Sequence, residues 1–301
     1  MKLTTRPPRV DVTPVFGTSS HLLKTTVRLH PRRATAPLDS LASKIGGKIL
    51  WPRDKPWPHC EDVAPPSWRG ADGSVPDDLG STAVPLAPVL QLRAEDFPEV
   101  RFYPGTDLFQ LLWCPLDHDA PIFVAKPHVY WRDSKVIAAS LDAIPSSPYA
   151  DPAYLLAECE LNPERVTEPP PLRDVPRGLL DQLRDLCEED EDDEDLELYQ
   201  TQLSVCPATK VGGYPPWLQE PNTPQCQCGR RMEHLLTLSG SEFDGENYVR
   251  WCPDEVKDVF KKAFPEREPL QRPAFPKLNG RQMIFICRTC EGWPAQSVFQ
   301  R

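Results

Sequence analysis

The chain has 301 residues, of which 40% are hydrophobic and 26% charged. This composition is typical of a soluble globular protein long enough for two domains. Its 37 prolines against 15 glycines disfavour long helices and central strands, because proline lacks a backbone N–H. The net charge is −10, and nine acidic residues lie in 188–197. The rest of the chain therefore has a net charge of about −1 and shows no basic face for general nucleic-acid binding.

The N-terminal residues lack the apolar run of a secretory signal, and the chain has no run of about 18 apolar residues that would span a membrane. Ten cysteines without a signal indicate a reducing compartment, where paired cysteines bind metal more often than they form disulfides. We therefore expect a cytoplasmic, monomeric protein with neither a membrane nor a nucleic acid as partner.

The first half of the chain reads as short strands. Residues 1–35 form a Pro- and Arg-rich N-terminal extension, in which Thr25–His30 predicts an edge strand. Apolar residues at helical spacing predict a short helix over 38–45, and the Pro-, Asp- and Gly-rich segment 52–85 predicts a surface loop. Four closely spaced runs favour antiparallel strands. They are Val89–Leu92, Leu108–Trp113, Ile122–Ala125 and His128–Trp131.

A linker over 166–200 joins the halves. It contains a Pro-rich segment, a short helix with leucines on one face, and the acidic run 188–197. We interpret the acidic run as solvated and extended, with a docking tail for a basic partner as the alternative. Two strands and one amphipathic helix are predicted beyond the linker. They are Met232–Leu238, Met283–Ile286 and the helix Pro253–Phe264.

Four blocks recur in the same order and indicate an internal duplication, with repeats at 36–165 and 201–301. Ser43–Trp51 matches Thr209–Trp217, and Cys60 follows Trp51 at the separation of Cys226 from Trp217. The other two matches pair Leu86–Leu92 with Met232–Leu238, and Gly105–Leu111 with Gly280–Ile286. The predicted fold class is β-rich α+β, with antiparallel sheet or barrel-like repeats and a few short helices.

A Lys-x-Gly-Gly turn lies in both matched blocks, Ser43–Trp51 and Thr209–Trp217. Neither turn has the pattern of a phosphate-binding loop. We interpret the glycine pairs as structural, permitting a positive-φ turn that directs Trp51 or Trp217 inward.

Four cysteines in the second half have the spacing of a zinc site. Cys226 and Cys228 form a Cys-x-Cys pair, and Cys287 and Cys290 form a Cys-x-x-Cys pair. Two close pairs on separate segments supply four soft ligands for one structural Zn²⁺ per chain. A ligand exchanged for His234 or Cys252, free buried thiols, and a redox pair are the alternatives.

In the first half, Cys60 and Cys114 have histidines His59 and His118 beside them. A decayed second metal site is one interpretation, and isolated core thiols are the favoured one. No recognised catalytic motif is present, so we predict no catalytic residues. A nucleophile pair of Cys114 with His118 is the disfavoured alternative. Tryptophans beside prolines are candidate anchors for an extended peptide. They are Trp51, Trp217 and Trp293.

These blocks together resemble the YwqG-like family of bacterial proteins of unassigned function over about residues 36–300. More distantly, the Lys-Val-Gly-Gly turn and the cysteine pairs are similar to those of the programmed cell death protein 2 group, although the full set of cysteine pairs in that group is absent here. The resemblance implies a duplicated, barrel-like β fold without enzymatic activity. It also implies binding of a protein segment, since those relatives act as chaperones for a nascent ribosomal protein.

The leading hypothesis is therefore a non-enzymatic, chaperone- or adaptor-like module that binds a protein or peptide and contains a structural zinc. The first alternative is an immunity protein that neutralises a toxin by occlusion, as proposed for related bacterial domains. The second is an uncharacterised thiol- or metal-dependent enzyme.

Overall fold

The computed structural model describes residues 3–60, 83–116, 118, 125–147, 149–187, 196–245, 247–262, 266, 268–275 and 277–301. In this part of the chain, fourteen strands form three antiparallel sheets with only short helices, which confirms the predicted β-rich α+β class. The strands described form no closed barrel. Most of the predicted strand Ile122–Ala125, most of the loop 52–85 and residues 188–195 of the acidic run lie outside the described residues.

The strands, in chain order, are β1 (Lys24–Arg28), β2 (Arg32–Arg33), β3 (Lys44–Ile45), β4 (His59–Cys60), β5 (Val84–Pro85), β6 (Ala87–Arg93), β7 (Leu108–Trp113), β8 (Pro127–Arg132), β9 (Cys159–Glu160), β10 (Glu164–Glu168), β11 (Lys210–Gly212), β12 (Glu233–Ser239), β13 (Arg281–Ile286) and β14 (Ala295–Gln300). The α-helices are α1 (Leu180–Cys187), α2 (Tyr248–Trp251) and α3 (Glu268–Gln271). Short 3₁₀ segments span Thr13–Leu22, Ser134–Val136, Pro152–Tyr154, Leu172–Asp174, Arg177–Leu179 and Asp254–Lys261, and one π-helical turn spans Tyr199–Leu203.

The two larger sheets have six strands each. One has the order β10-β1-β11-β12-β13-β14, and the other has the order β2-β9-β3-β6-β7-β8. The predicted edge strand over Thr25–His30 is wrong, because β1 pairs with both β10 and β11 and therefore lies inside its sheet. Both the N-terminal segment and the segment 159–168 contribute strands to both sheets. The strands of each predicted repeat are thus completed by strands from elsewhere in the chain.

The predicted strands that lie within the described residues form, with boundaries one or two residues wider in β6, β8 and β13. The helix predicted over 38–45 does not form. The ammonium of Lys44 instead donates hydrogen bonds to the carbonyl oxygens of Leu38 and Asp39, at 3.4 and 2.9 Å, which holds this segment in a turn before β3. The amphipathic helix predicted from Pro253 forms as the 3₁₀ segment Asp254–Lys261.

The pairing of β6 with β7 corresponds residue by residue to the pairing of β12 with β13. The pairing of β6 with β7 is interrupted between Pro88 and Leu90, and that of β12 with β13 between His234 and Leu236. These interruptions match at the sequence offset that relates Leu86–Leu92 to Met232–Leu238. The predicted match of Gly105–Leu111 with Gly280–Ile286 is wrong by two residues. Ala87 pairs with Trp113, and its counterpart Glu233 pairs with Ile286, so Ile286 corresponds to Trp113 and not to Leu111.

The main hydrophobic core contains residues from both six-stranded sheets, which therefore pack against each other. Leu90 and Leu111 contribute from one sheet, and Leu236 and Ile284 from the other, all at most 1% exposed. Burial of such side chains is the main driving force of folding. The paired sheets form one support for the loops at the ends of β7 and β13.

Both Lys-x-Gly-Gly turns have the predicted positive-φ glycines, with φ of 62° and 67° at Gly46 and Gly47, and of 73° and 66° at Gly212 and Gly213. Each turn is held by a buried lysine. Lys44 contacts the carboxylate of Glu158 at 2.8 Å, and Lys210 contacts that of Glu168 at 2.5 Å. The turns are structural elements, and Trp51, which follows the first, is only 2% exposed.

Candidate metal centre

The first cysteine pair lies in a tight loop before β12. An antiparallel bridge between Gln225 and Arg231 closes the loop. Inside it, the N–H of Cys226 donates to the carbonyl of Arg230, and the N–H of Gly229 donates to that of Cys226, both at 2.8 Å. Gly229 has a φ of 80°, a conformation that suits glycine. The loop therefore fixes the backbone of both Cys226 and Cys228.

The second pair lies in the connection from β13 to β14. Cys287 directly follows β13, and its N–H donates to the carbonyl of Pro294 at 3.0 Å. The N–H of Trp293 donates to the carbonyl of Cys290 at 3.2 Å, and Gly292 has a φ of 71°. Because β12 and β13 are neighbours, the two cysteine loops lie at the same end of one sheet.

The four sulfurs lie close enough together to bind one metal ion. All four lie within 4.8 Å of one another. The Sγ–Sγ distances are 3.7 Å for Cys226–Cys290, Cys228–Cys287 and Cys287–Cys290. A zinc ion about 2.3 Å from each sulfur in a regular tetrahedron spaces the sulfurs about 3.8 Å apart. None of the four is in a disulfide. The donor set therefore fits a tetrahedral thiolate metal site.

The electrostatics of the cluster favour a cation at its centre. The Thr289 hydroxyl, 3.1 Å from the Cys287 sulfur, and the backbone N–H of Thr289 lower the pKa of Cys287 to about 6. The backbone N–H of Arg230 also lowers the pKa of Cys228. In contrast, the neighbouring thiols of Cys228, Cys226 and Cys287 raise the pKa of Cys290 to about 12. A metal ion stabilises all four thiolates at once and releases their protons.

One face of the cluster is covered by apolar side chains. Met232, Met283 and Phe285 pack against the buried Cys226 and Cys287. The ring of Trp217 stacks on that of Phe285, with the centroids 5.7 Å apart and the planes 19° apart. The partly exposed Trp217 thus packs against the apolar side chains that cover the cysteines.

The alternative ligands considered from the sequence lie elsewhere. The Nε2 of His234 is 2.9 Å from the Thr237 hydroxyl, and burial lowers the pKa of this histidine to about 3. Cys252 belongs to a separate apolar cluster with Trp251 and Phe243. The candidate metal ligands are therefore the four predicted cysteines, and neither His234 nor Cys252 replaces one of them.

The three candidate anchor tryptophans differ in exposure. Trp51 is 2% exposed and lies beneath the guanidinium of Arg132, 3.9 Å from its ring centroid. Trp293 is 4% exposed and packs edge-on against Trp131. Neither ring presents a surface to a partner in this conformation. Trp217 alone of the three is partly exposed.

Trp217 separates two clefts at the surface. One, of about 470 Å³, is lined by Pro171, Pro216, Leu218 and Arg281 among others. The other, of about 420 Å³, is lined by Lys24, Tyr214 and His234. Both also include Pro215 and Trp217 in their walls.

Thr289 and Phe285 were not predicted as residues of the site. Thr289 lies between two predicted ligands in the sequence, but the sequence does not predict its hydrogen bond to Cys287. Phe285 read only as part of a strand, and its stacking with Trp217 depends on the fold.

Within the described residues, no helix has the length and apolar character needed to cross a membrane. No profile of a known protein family matches the chain. No characterised protein matches it at a significant level either.

Proposed function

We propose that this chain is a non-enzymatic protein- or peptide-binding module, chaperone- or adaptor-like, whose recognition groove lies beside Trp217. A structural zinc ion, bound by Cys226, Cys228, Cys287 and Cys290, supports the floor of this groove. The observation that carries the proposal is the stacking of the partly exposed Trp217 on Phe285, two residues before a metal ligand.

The role of zinc in this proposal is structural. Four thiolates complete the coordination sphere of the ion and leave no position for a substrate or an activated water. The ion would join the loop at Cys226 to the end of β13, and both segments contribute to the apolar cluster under Trp217. Zinc therefore acts on the groove through the position of Phe285.

The groove suits an extended segment with an apolar anchor. Prolines and Trp217 supply rigid apolar surface, and Leu218 beside them is 46% exposed. Arg173, Asp244 and Asn247 line the larger cleft and provide polar groups for a peptide backbone. A tryptophan at the centre of such a surface typically contributes a large share of the binding energy.

Affinity purification of the tagged protein from its own cells, followed by mass spectrometry, tests the proposal. We expect a stoichiometric protein partner that Trp217→Ala loses, because truncation removes the anchor while the core remains. Val136→Ala is the matched control, since Val136 is 76% exposed and lies outside both clefts. A ribosomal protein would indicate a chaperone, and a toxin would indicate an immunity role. A wild type that captures no protein, or a Trp217→Ala variant that captures it fully, would overturn the proposal.

The zinc component has its own readout. Both proteins are purified without chelator. We expect the Cys287→Ser variant to contain one zinc ion per chain fewer than the wild type and to capture less partner. Cys187→Ser, at a buried thiol in α1 outside the cluster, should keep the metal. Wild-type protein without zinc, or a Cys287→Ser variant with full metal content and stability, would refute the zinc site.

A further inference from the structure

A second group of metal-ligand residues lies in the other half of the protein. Cys60, Cys114 and His118 each offer one ligand atom, and these atoms all lie within 4.8 Å of one another. The Sγ of Cys60 is 3.6 Å from the Nε2 of His118. A tetrahedral zinc ion with bonds of about 2.3 Å to sulfur and about 2.0 Å to nitrogen spaces these atoms about 3.5 Å apart. The observed distance therefore fits a shared ion.

The group occupies the same place in its sheet as the four-cysteine cluster does in the other. Cys114 directly follows β7, as Cys287 directly follows β13. The strand pairing equates Trp113 with Ile286, so these two cysteines are counterparts. The sequence match of Gly105–Leu111 with Gly280–Ile286, which is wrong by two residues, does not align these two cysteines.

The other two members also have counterparts. Cys60 is nine residues after Trp51, as Cys226 is nine residues after Trp217. His118 follows Cys114 by four residues, and Cys290 follows Cys287 by three. At each site, two chain segments thus bring ligands to the same end of a strand pair, β6–β7 in one sheet and β12–β13 in the other.

The burial of the group indicates what it would bind. Cys114 is fully buried within an apolar cluster that includes Leu112, Leu116 and Trp57, and Cys60 packs against that cluster. Thiolate and imidazole are the ligands that zinc prefers, and an apolar wall excludes competing hard cations that need oxygen ligands.

We propose that Cys60, Cys114 and His118 bind a second zinc ion. This site goes beyond the proposed function, which needs only the four-cysteine centre. The described residues supply three ligands here, in contrast to the four thiolates of the other centre. A set of two cysteines and one histidine leaves the fourth position of a tetrahedral zinc to a further ligand.

The metal content of the full-length protein tests the second site. We expect two zinc ions per wild-type chain, one in His118→Ala, one in Cys287→Ser and none in the double variant. His118 is half-buried, so its truncation disturbs the core less than a change at Cys114. His21→Ala, at an exposed histidine, is the matched control and should keep both ions. A wild type with a single zinc that His118→Ala retains and Cys287→Ser loses would overturn this site and leave the proposed function intact.

Cobalt substitution gives a second readout, which reports on the ligands of the metal as well as on its amount. Co²⁺ bound to the wild type should show thiolate charge-transfer absorption from two classes of tetrahedral site, and Cys60→Ser should remove one class. Spectra with one class, unchanged by Cys60→Ser, would contradict the proposal. Alkylation of Cys60 in the protein as purified, at the rate found after zinc is removed, would also contradict it, because a bound zinc ion protects its thiolate ligands.

Discussion

Lys210 and Glu168 form an ion pair in which neither side chain has any exposed area. Burying two charges costs several kcal/mol each, and the cost is offset only when the remaining hydrogen-bonding capacity is satisfied. Glu168 meets this condition, because it also accepts hydrogen bonds from the N–H groups of Cys206 and Tyr214, at 2.9 and 2.8 Å. Glu158, the partner of Lys44, is 19% exposed and so retains some contact with water.

Removal of one charge should therefore cost more at the second turn than at the first. Lys210→Met leaves Glu168 charged and buried, and we expect a loss of about 3–5 kcal/mol in the free energy of unfolding. Lys44→Met should cost less, because water can reach Glu158. Urea denaturation of both variants measures the difference. An equal or larger loss in Lys44→Met would show that the exposure of the carboxylate does not decide the cost.

The glycines of the turns offer a second residue-scale comparison. Gly213 and Gly105 both have positive φ, at 66° and 79°, so alanine at either position carries a left-handed strain of about 1–2 kcal/mol. A Cβ at Gly213 would also overlap the carboxylate of Glu168, whereas a Cβ at Gly105 meets no atom within 4 Å. We expect Gly213→Ala to lower the free energy of unfolding well beyond the loss in Gly105→Ala. Equal losses in urea denaturation would mean that the Glu168 side chain moves aside freely.

At the scale of elements, the strands that the sequence predicted are those with a strong apolar pattern. β7 is buried at all six residues and was predicted with the correct ends. β14 was missed, because Ala295–Gln300 is a mostly polar run at the edge of its sheet. β1 was taken for an edge strand over Thr25–His30 because it lies in a Pro- and Arg-rich stretch of the sequence. Its neighbours β10 and β11 lie more than a hundred residues away, and local pattern carries no information on such pairing.

The four-cysteine site was predictable because both close pairs are visible in the sequence, and a metal needs few other features. The first-half group was much harder to predict. Cys60 and Cys114 are single cysteines 54 positions apart, and only the strand pairing puts them at one end of a sheet. The sequence named these residues, but it could not establish that His118 joins them while His59 does not.

At the scale of the whole molecule, a buried histidine couples stability to pH. His30 is 2% exposed, and its Nε2 lies 2.8 Å from the carboxylate of Glu164. Burial, and then the nearby positive charge of Arg28, lower the pKa of His30 to about 4, against the opposing influence of Glu164 and Glu255. The unfolded chain has a histidine pKa of about 6.5. Between these values only the unfolded state is protonated, so stability falls as the pH falls through this window.

We expect His30→Asn to remove this contribution to the pH dependence. Asparagine tolerates the positive φ of 43° at this position. The stability gap between wild type and variant should shrink by about 3 kcal/mol from pH 7 to pH 4, at about 1.4 kcal/mol per pH unit. The free energy of unfolding at several pH values measures the gap.

Two features make the His30 comparison specific. Burial raises the pKa of Glu242 to about 7, which stabilises the protein as the pH falls from 7 towards 4.5, but this contribution is common to both proteins and cancels in the gap. The exposed His21 gives the control His21→Asn, which should follow the wild-type profile. A His30→Asn profile parallel to that of the wild type would show that the pKa of His30 is the same in the native and the unfolded state.

The position of β1 has a consequence for how the two halves depend on each other. β1, from the N-terminal extension, lies between β10 and β11, inside the sheet that contains the strands of the second half. A chain without the N-terminal extension would lack this internal strand, and a second copy could supply it by domain swapping. The full-length chain makes that exchange within a single molecule, where the effective concentration of the donated strand is permanently high.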